Sequence, residues 1–231
     1  MFSDNACAPI RDRIAGLSLD SGPVNMGDEL SLVEDFGGRR KRWYRNGKLH
    51  SEGEEPAYVL YDKDMEWVMK SWYKDGKLHR EGNMPAIKWK RGHNIWLGNE
   101  DDEDDEDDED SVIYNVGSLE WYVDGKLHRV DGPASISYGL LKWFYEGKLH
   151  REGDMAAMFT PDGSRYWYKH GKLHRDGDKP AIENSDGSRC WFSKGKLHRD
   201  GGKAAIINHD GTEEFFRCGI KLDSNGREMS P

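Results

Sequence analysis

Nine histidines, a periodic set of lysines and arginines, and one unbroken run of carboxylates are the groups in this chain best suited to chemistry. Six of the histidines (His50, His79, His128, His150, His174 and His198) recur at near-regular intervals, which would suit metal ligation if the rings converged. Ligands that share one metal, each ~2 Å from it, lie within about 4 Å of one another. Equivalent residues in neighbouring two-stranded units would instead stand roughly 10 Å apart. The rings are therefore read as turn-side residues, bonded to local backbone or to the acid that follows, such as Glu152 or Asp176. No metal and no cofactor is expected. His93, His170 and His209 fall near turns and are read as solvated.

Beside each of five histidines stand a lysine and an arginine: Lys77 and Arg80, Lys126 and Arg129, Lys148 and Arg151, Lys172 and Arg175, Lys196 and Arg199. Such a row could bind phosphates of a membrane or a nucleic acid. An acid accompanies every copy (Glu81, Asp131, Glu152, Asp176, Asp200) and offsets much of the field, so local ion pairs are the leading expectation. The carboxylate run comprises Glu100, Asp101, Asp102, Glu103, Asp104, Asp105, Glu106, Asp107, Asp108, Glu109 and Asp110. Such adjacent charges repel and cannot be buried unpaired, which predicts an exposed loop, read either as a solubilising segment or as a docking site for a basic partner. Ser, His and Asp recur with the period and do not converge, and the glycines mark turns without a strand–loop–helix context. An enzyme is not expected.

These residues are positioned by a repeat. Gly-Lys-Leu-His begins at Gly47, Gly76, Gly125, Gly147, Gly171 and Gly195, at intervals of 29, 49, 22, 24 and 24 residues. An aromatic pair starts four residues ahead of each, as in Trp43-Tyr44, Trp143-Phe144 and Trp167-Tyr168. Downstream come a small-to-apolar step (Pro85-Ala86-Ile87, Pro180-Ala181-Ile182) and a second turn signal (Asp162-Gly163, Asp186-Gly187, Asp210-Gly211). The 49-residue interval predicts a hidden unit marked by Trp96-Leu97, with the acidic run standing where Gly-Lys-Leu-His-Arg should be. Phe215-Phe216 marks an eroded last unit. The long first interval is expected to be absorbed in a connection around Tyr61-Asp62-Lys63-Asp64.

Asn46-Gly47, Asp75-Gly76 and Asp124-Gly125 predict two-residue hairpin turns, because Asn, Asp and Gly accept positive φ cheaply. Around them, Arg165-Tyr166-Trp167-Tyr168-Lys169 alternates as a strand does. The expected fold is all-β: one elongated domain of about eight antiparallel β-hairpins of ~24 residues forming a twisted sheet on the order of 80 Å long. Its parts are an N-terminal cap over 1–40 with a short helix around Pro9 to Leu17, the array over 41–222, and a tail over 223–231. The Trp row is expected to form the core, since 26 aromatic rings outweigh a small aliphatic supply.

The stretch Trp167-Tyr168-Lys169-His170-Gly171-Lys172-Leu173-His174-Arg175, followed by Asp186-Gly187, resembles the MORN family. The similarity is to its W-Y-x-x-G-K-L-H-R-x-x-G-P-A variant, found in large DNA viruses and some bacteria. It spans about residues 41–222 and departs from the usual Gly-x-Gly after the histidine at Asp176-Gly177-Asp178-Lys179-Pro180. The resemblance implies an elongated scaffold that binds proteins or dimerises, and for some members phosphoinositides; a viral origin is implied by it alone.

The formal charge of −9 belongs mostly to the acidic run; without it 32 acidic residues face 34 basic ones. A body so near neutral disfavours nucleic-acid binding. No apolar stretch approaches the ~18 residues of a membrane span, and no secretory signal opens the chain. Three distant cysteines, Cys7, Cys190 and Cys218, point to a reducing, intracellular setting. The expected function is a non-enzymatic interaction scaffold with a protein partner or with itself. The alternative is a peripheral module that binds phosphoinositide membranes through the basic row.

Overall fold

In the computed structural model, residues 29–96, 112–223 and 225–229 are described. The acidic run and the segment expected to form a short helix both lie outside them. The chain is elongated and all-β, its strands meandering in sequence order through a sixteen-stranded antiparallel sheet. Each typical unit adds two short strands to that sheet, such as Ile182–Glu183 and Arg189–Cys190. After the tryptophan the chain continues into a separate small hairpin, such as Tyr168–Lys169 with Lys172–Leu173. The tryptophan is the joint between the two.

Backbone bonds explain why the unit repeats so faithfully. The Trp167 N–H donates to the Ala181 carbonyl at 2.8 Å, and the His174 N–H donates to the Trp167 carbonyl at 3.0 Å. Gly171 then donates to Leu149 of the preceding unit at 2.8 Å, and Gly195 donates to Leu173 in the same way. Every hairpin is therefore tied to its neighbour, which suits a nearest-neighbour stack. Trp72, Trp121, Trp167 and Trp191 are buried, while Trp43 and Trp143 are half-buried.

The tips are two-residue turns with positive φ at both central positions, the hand that matches strand twist. Asp75 (φ 49°) with Gly76 (φ 81°) fits the reading from sequence. Later tips put Glu146, His170, Lys194 and Cys218 at φ 48–52°, a region that L side chains other than Asn and Asp enter reluctantly. Lys194→Asn keeps the backbone N–H and removes this strain, so it should stabilise by roughly 1 kcal/mol. An unchanged or lowered Tm would contradict that expectation.

Two corrections concern the irregular intervals. Ile87 and Lys88 pair directly with Glu120 and Leu119, and Gly125 donates to the Leu78 carbonyl, so no unit stands between Trp72 and Trp121. Trp96 belongs instead to Arg91–Trp96, which pairs only with Val112–Val116 in a two-stranded sheet of its own. Thirty residues separate the paired Lys88 and Leu119 where five separate the equivalent Glu183 and Arg189. The acidic run thus sits in an insertion at the second turn and does not replace Gly-Lys-Leu-His. Seven aromatic markers remain where eight were expected.

The first interval differs too. Asp62 donates to the Glu66 carbonyl across a tight turn of ordinary size. The extra residues lengthen the strands Tyr58–Tyr61 and Trp67–Ser71. At the N-terminal end Ser31–Asp35 pairs with Arg40–Arg45 as a further strand. There the buried Arg40 and Arg42 both reach Asp35. At the other end the tail turns back, with Leu222 bridged to Glu228.

Candidate interaction surface

The histidines serve as staples between units. His174 Nδ1 accepts the Lys194 N–H at 3.4 Å, and His198 Nδ1 accepts the Cys218 N–H at 3.3 Å. His79, His128 and His150 receive the turn N–H groups of Asp124, Glu146 and His170 in the same way. The other ring nitrogen faces the following acid: His150 Nε2 to Glu152 at 2.9 Å, His174 to Asp176 and His198 to Asp200 at 3.1 Å each. An Nδ1 that accepts and an Nε2 that donates define a neutral ring protonated on Nε2. His50 Nδ1 likewise receives the Asp75 N–H, at 3.4 Å, and also faces the Asp75 carboxylate at 3.1 Å, while the Arg45 guanidinium donates to Nε2 at 3.0 Å. Nitrogen-15 spectra at neutral pH should show the Nε2–H tautomer at His150, His174 and His198. The Nδ1–H tautomer at any of the three would refute the assignment.

The predicted basic row divides into two sets. Its arginines fold inward over tryptophan: Arg80 on Trp72, Arg129 on Trp121, Arg151 on Trp143, Arg175 on Trp167 and Arg199 on Trp191, at 3.7–4.0 Å. Each also donates to a loop carbonyl, as Arg175 does to Pro180 and Arg199 does to Ala204. Burial lowers the pKa of Arg80, Arg129 and Arg151. Spacing along the chain could not foretell this, since the ring each arginine covers lies eight residues back across the hairpin. The lysines Lys77, Lys126, Lys148, Lys172 and Lys196 stay exposed at the tips, with no ion-pair partner among the described residues.

Carboxylates tie successive loops together. Arg175 Nε and Lys179 Nζ both reach Asp154, at 2.6 and 2.5 Å, and Arg199 and Lys203 hold Asp178 with the same distances. Hydrogen bonds from Arg175 and then Lys179 bring the Asp154 carboxyl down to about 2, and Arg199 and Lys203 hold Asp178 lower still. The Thr160 hydroxyl, followed by the Ser164 N–H, likewise brings Asp162 to about 2. Depressed carboxylates contribute stability that is complete above their unfolded value of ~3.9. That contribution is lost as pH falls towards 2. Melting temperatures should therefore hold from neutrality to about pH 4 and decline steadily below it. Asp178→Asn should lower the neutral Tm and flatten the acid slope, and an unaltered slope would sink the ladder's role.

A groove of about 380 Å³ runs between the loops of two successive units, lined by His174, Asp178, Trp191, Phe192, His198 and Lys203 among others. Its arginine, lysine and acid groups are engaged with one another, so they form a wall without convergent reactive groups. Among the described residues no group of three His, Cys, Asp or Glu could hold a metal ion. Cys190 is half-buried, with its thiol pushed up by burial, and Cys218 is exposed on a tip. His170, read as solvated, is exposed but stacks on His150 with centroids 4.3 Å apart. The eleven carboxylates fall outside the described residues, as does Cys7. No helix among the described residues is long and apolar enough to cross a membrane. No family model, curated protein or solved structure matches the chain, which stands as an all-β array of repeated small hairpins.

Proposed function

We propose that this chain is a non-enzymatic scaffold of the MORN-like kind, which displays its acidic run as a docking site for a basic protein. One observation carries the reading. A stack whose units bond to each other through every tip interrupts its second turn once, and that insertion contains eleven consecutive carboxylates. Such a charge density attracts cationic segments over a Debye length of ~8 Å at physiological salt. The histidines, arginines and loop carboxylates of the repeat bond to one another and to its backbone, which supports a structural role for them over a catalytic one. Replacing Glu100–Asp110 by Gly and Ser should abolish retention of an oligolysine peptide on the immobilised protein. Undiminished retention would end the idea.

A second reading rests on the exposed lysines of the tips. Spaced by roughly 10 Å, they could engage anionic headgroups. Salt-sensitive co-sedimentation with phosphoinositide vesicles would favour it, and the absence of binding would remove it. The two free cysteines support an intracellular setting in either case.

A further inference from the structure

Four buried tryptophans hold the same place in their units, yet their indole N–H groups do not meet the same partner. That of Trp72 donates to the Glu54 carbonyl at 2.8 Å, and that of Trp121 to the Asn83 carbonyl at 2.9 Å. In both cases the acceptor is the fourth residue after the histidine of the preceding loop. Asp154 and Asp178 hold that position ahead of Trp167 and Trp191. There the Nε1 atoms have no hydrogen-bond partner, although the rings are 6% and 5% exposed. A buried donor without an acceptor keeps its full desolvation cost. Each of these rings lines a groove together with the aspartate ahead of it: one of about 270 Å³ at Trp167 and Asp154, the other of about 380 Å³ at Trp191 and Asp178. The two units are successive, so the grooves stand one repeat apart, roughly 10 Å.

The earlier units show which group satisfies this donor: a backbone carbonyl. Arg175 and Arg199 cover one face of each ring at 3.7 and 3.8 Å, so a ligand meets the indole edge and does not stack on the ring. A free oxyanion would have to compete with Asp154 and Asp178 for the cations those carboxylates already hold. A neutral carbonyl has no such rival. We propose that the two grooves bind one peptide in the polyproline II conformation, running along the array and giving one carbonyl to each indole. That helix has three residues per turn and a rise of about 3.1 Å, so every third carbonyl recurs on one face at about 9.3 Å. The spacing of the grooves is nearly the same. Its carbonyls make no internal hydrogen bonds, and its preset shape lowers the entropic cost of docking in an aromatic-lined groove. Four Lys and Arg side chains face three carboxylates in the lining of each groove, which favours acidic side chains on the peptide over basic ones. The site uses neither the acidic run nor the lysines of the tips, so it stands apart from both readings above.

Titration of the nitrogen-15-labelled full chain with a peptide of four Pro-Pro-Glu repeats tests it. The indole N–H signals of Trp167 and Trp191 should shift and saturate together, while those of Trp72 and Trp121 stay in place. Trp191→Phe removes one donor and should weaken binding by about threefold to tenfold. Should that variant fail to fold, the signals of the unaltered chain decide the matter. A Gly-Gly-Glu peptide of equal length and charge lacks the preset helix and should bind more weakly, as should a Pro-Pro-Lys peptide. Unmoved signals at Trp167 and Trp191 overturn the proposal. So does an equal shift at all four indoles, or an affinity for either control peptide that matches that of Pro-Pro-Glu. The Gly/Ser replacement of Glu100–Asp110 should lose oligolysine and keep this peptide, so failure of the docking reading and failure of this one are read separately.

Discussion

Trp167→Ala should lower unfolding free energy by about 3–5 kcal/mol in urea titrations. The indole is 6% exposed, joins the long sheet to its hairpin, and has Arg175 3.7 Å above its centroid. Truncation opens a cavity and strands a guanidinium that also serves Pro180, Asp154 and Glu183. Loss of the cation–π contact alone would cost ~0.5–2 kcal/mol, so most of the effect comes from the cavity and from the unsupported arginine. The half-buried Trp143 carries Arg151 but is more open, and its replacement should cost less. A loss under about 1 kcal/mol at Trp167 would mean that the ring is peripheral to the fold.

Ala181→Leu should be nearly as harmful for the opposite reason. Ala181 has no exposed surface, and its backbone is fixed on both sides: its N–H donates to the Cys190 carbonyl and its carbonyl accepts from Trp167, each at 2.8 Å. A larger side chain must push one ladder away, and overpacking of this sort costs about 1–3 kcal/mol. Ala57, Ala86, Ala134, Ala157 and Ala205 share the site and its full burial, so the effect should recur at each. Tolerance of leucine at Ala181, with Tm unchanged, would show that the small residue is there for another reason.

The hairpin tips were legible because the residues that adopt positive φ are few, and Asn46-Gly47 and Asp75-Gly76 announce themselves. The tips at Lys194 and Cys218 could be placed only by their neighbours' period, since their own side chains argue against that conformation. Trp96 misled for a physical reason: spacing of 24 is a property of position along the chain, whereas membership of the sheet is decided by pairing. Lys88 and Leu119 find each other regardless of what lies between. The arginines keep the ion pairing expected of them at Arg175 and Arg199, but local sequence does not reveal which ring a long side chain will fold over. The acid that follows each histidine was foreseen as a partner, and Glu152, Asp176 and Asp200 take that place. The donation from the next unit's backbone was not foreseen, because it crosses 18 residues or more and carries no side-chain signature.

The long insertion between Lys88 and Leu119 leaves the pairing on either side undisturbed. Closing a thirty-residue loop in place of a five-residue one costs only on the order of 1–2 kcal/mol, a sum that a laterally bonded stack can absorb. Every second turn of the array, such as that between Glu183 and Arg189, is then a socket into which foreign sequence could be grafted at a chosen place along a rigid ruler.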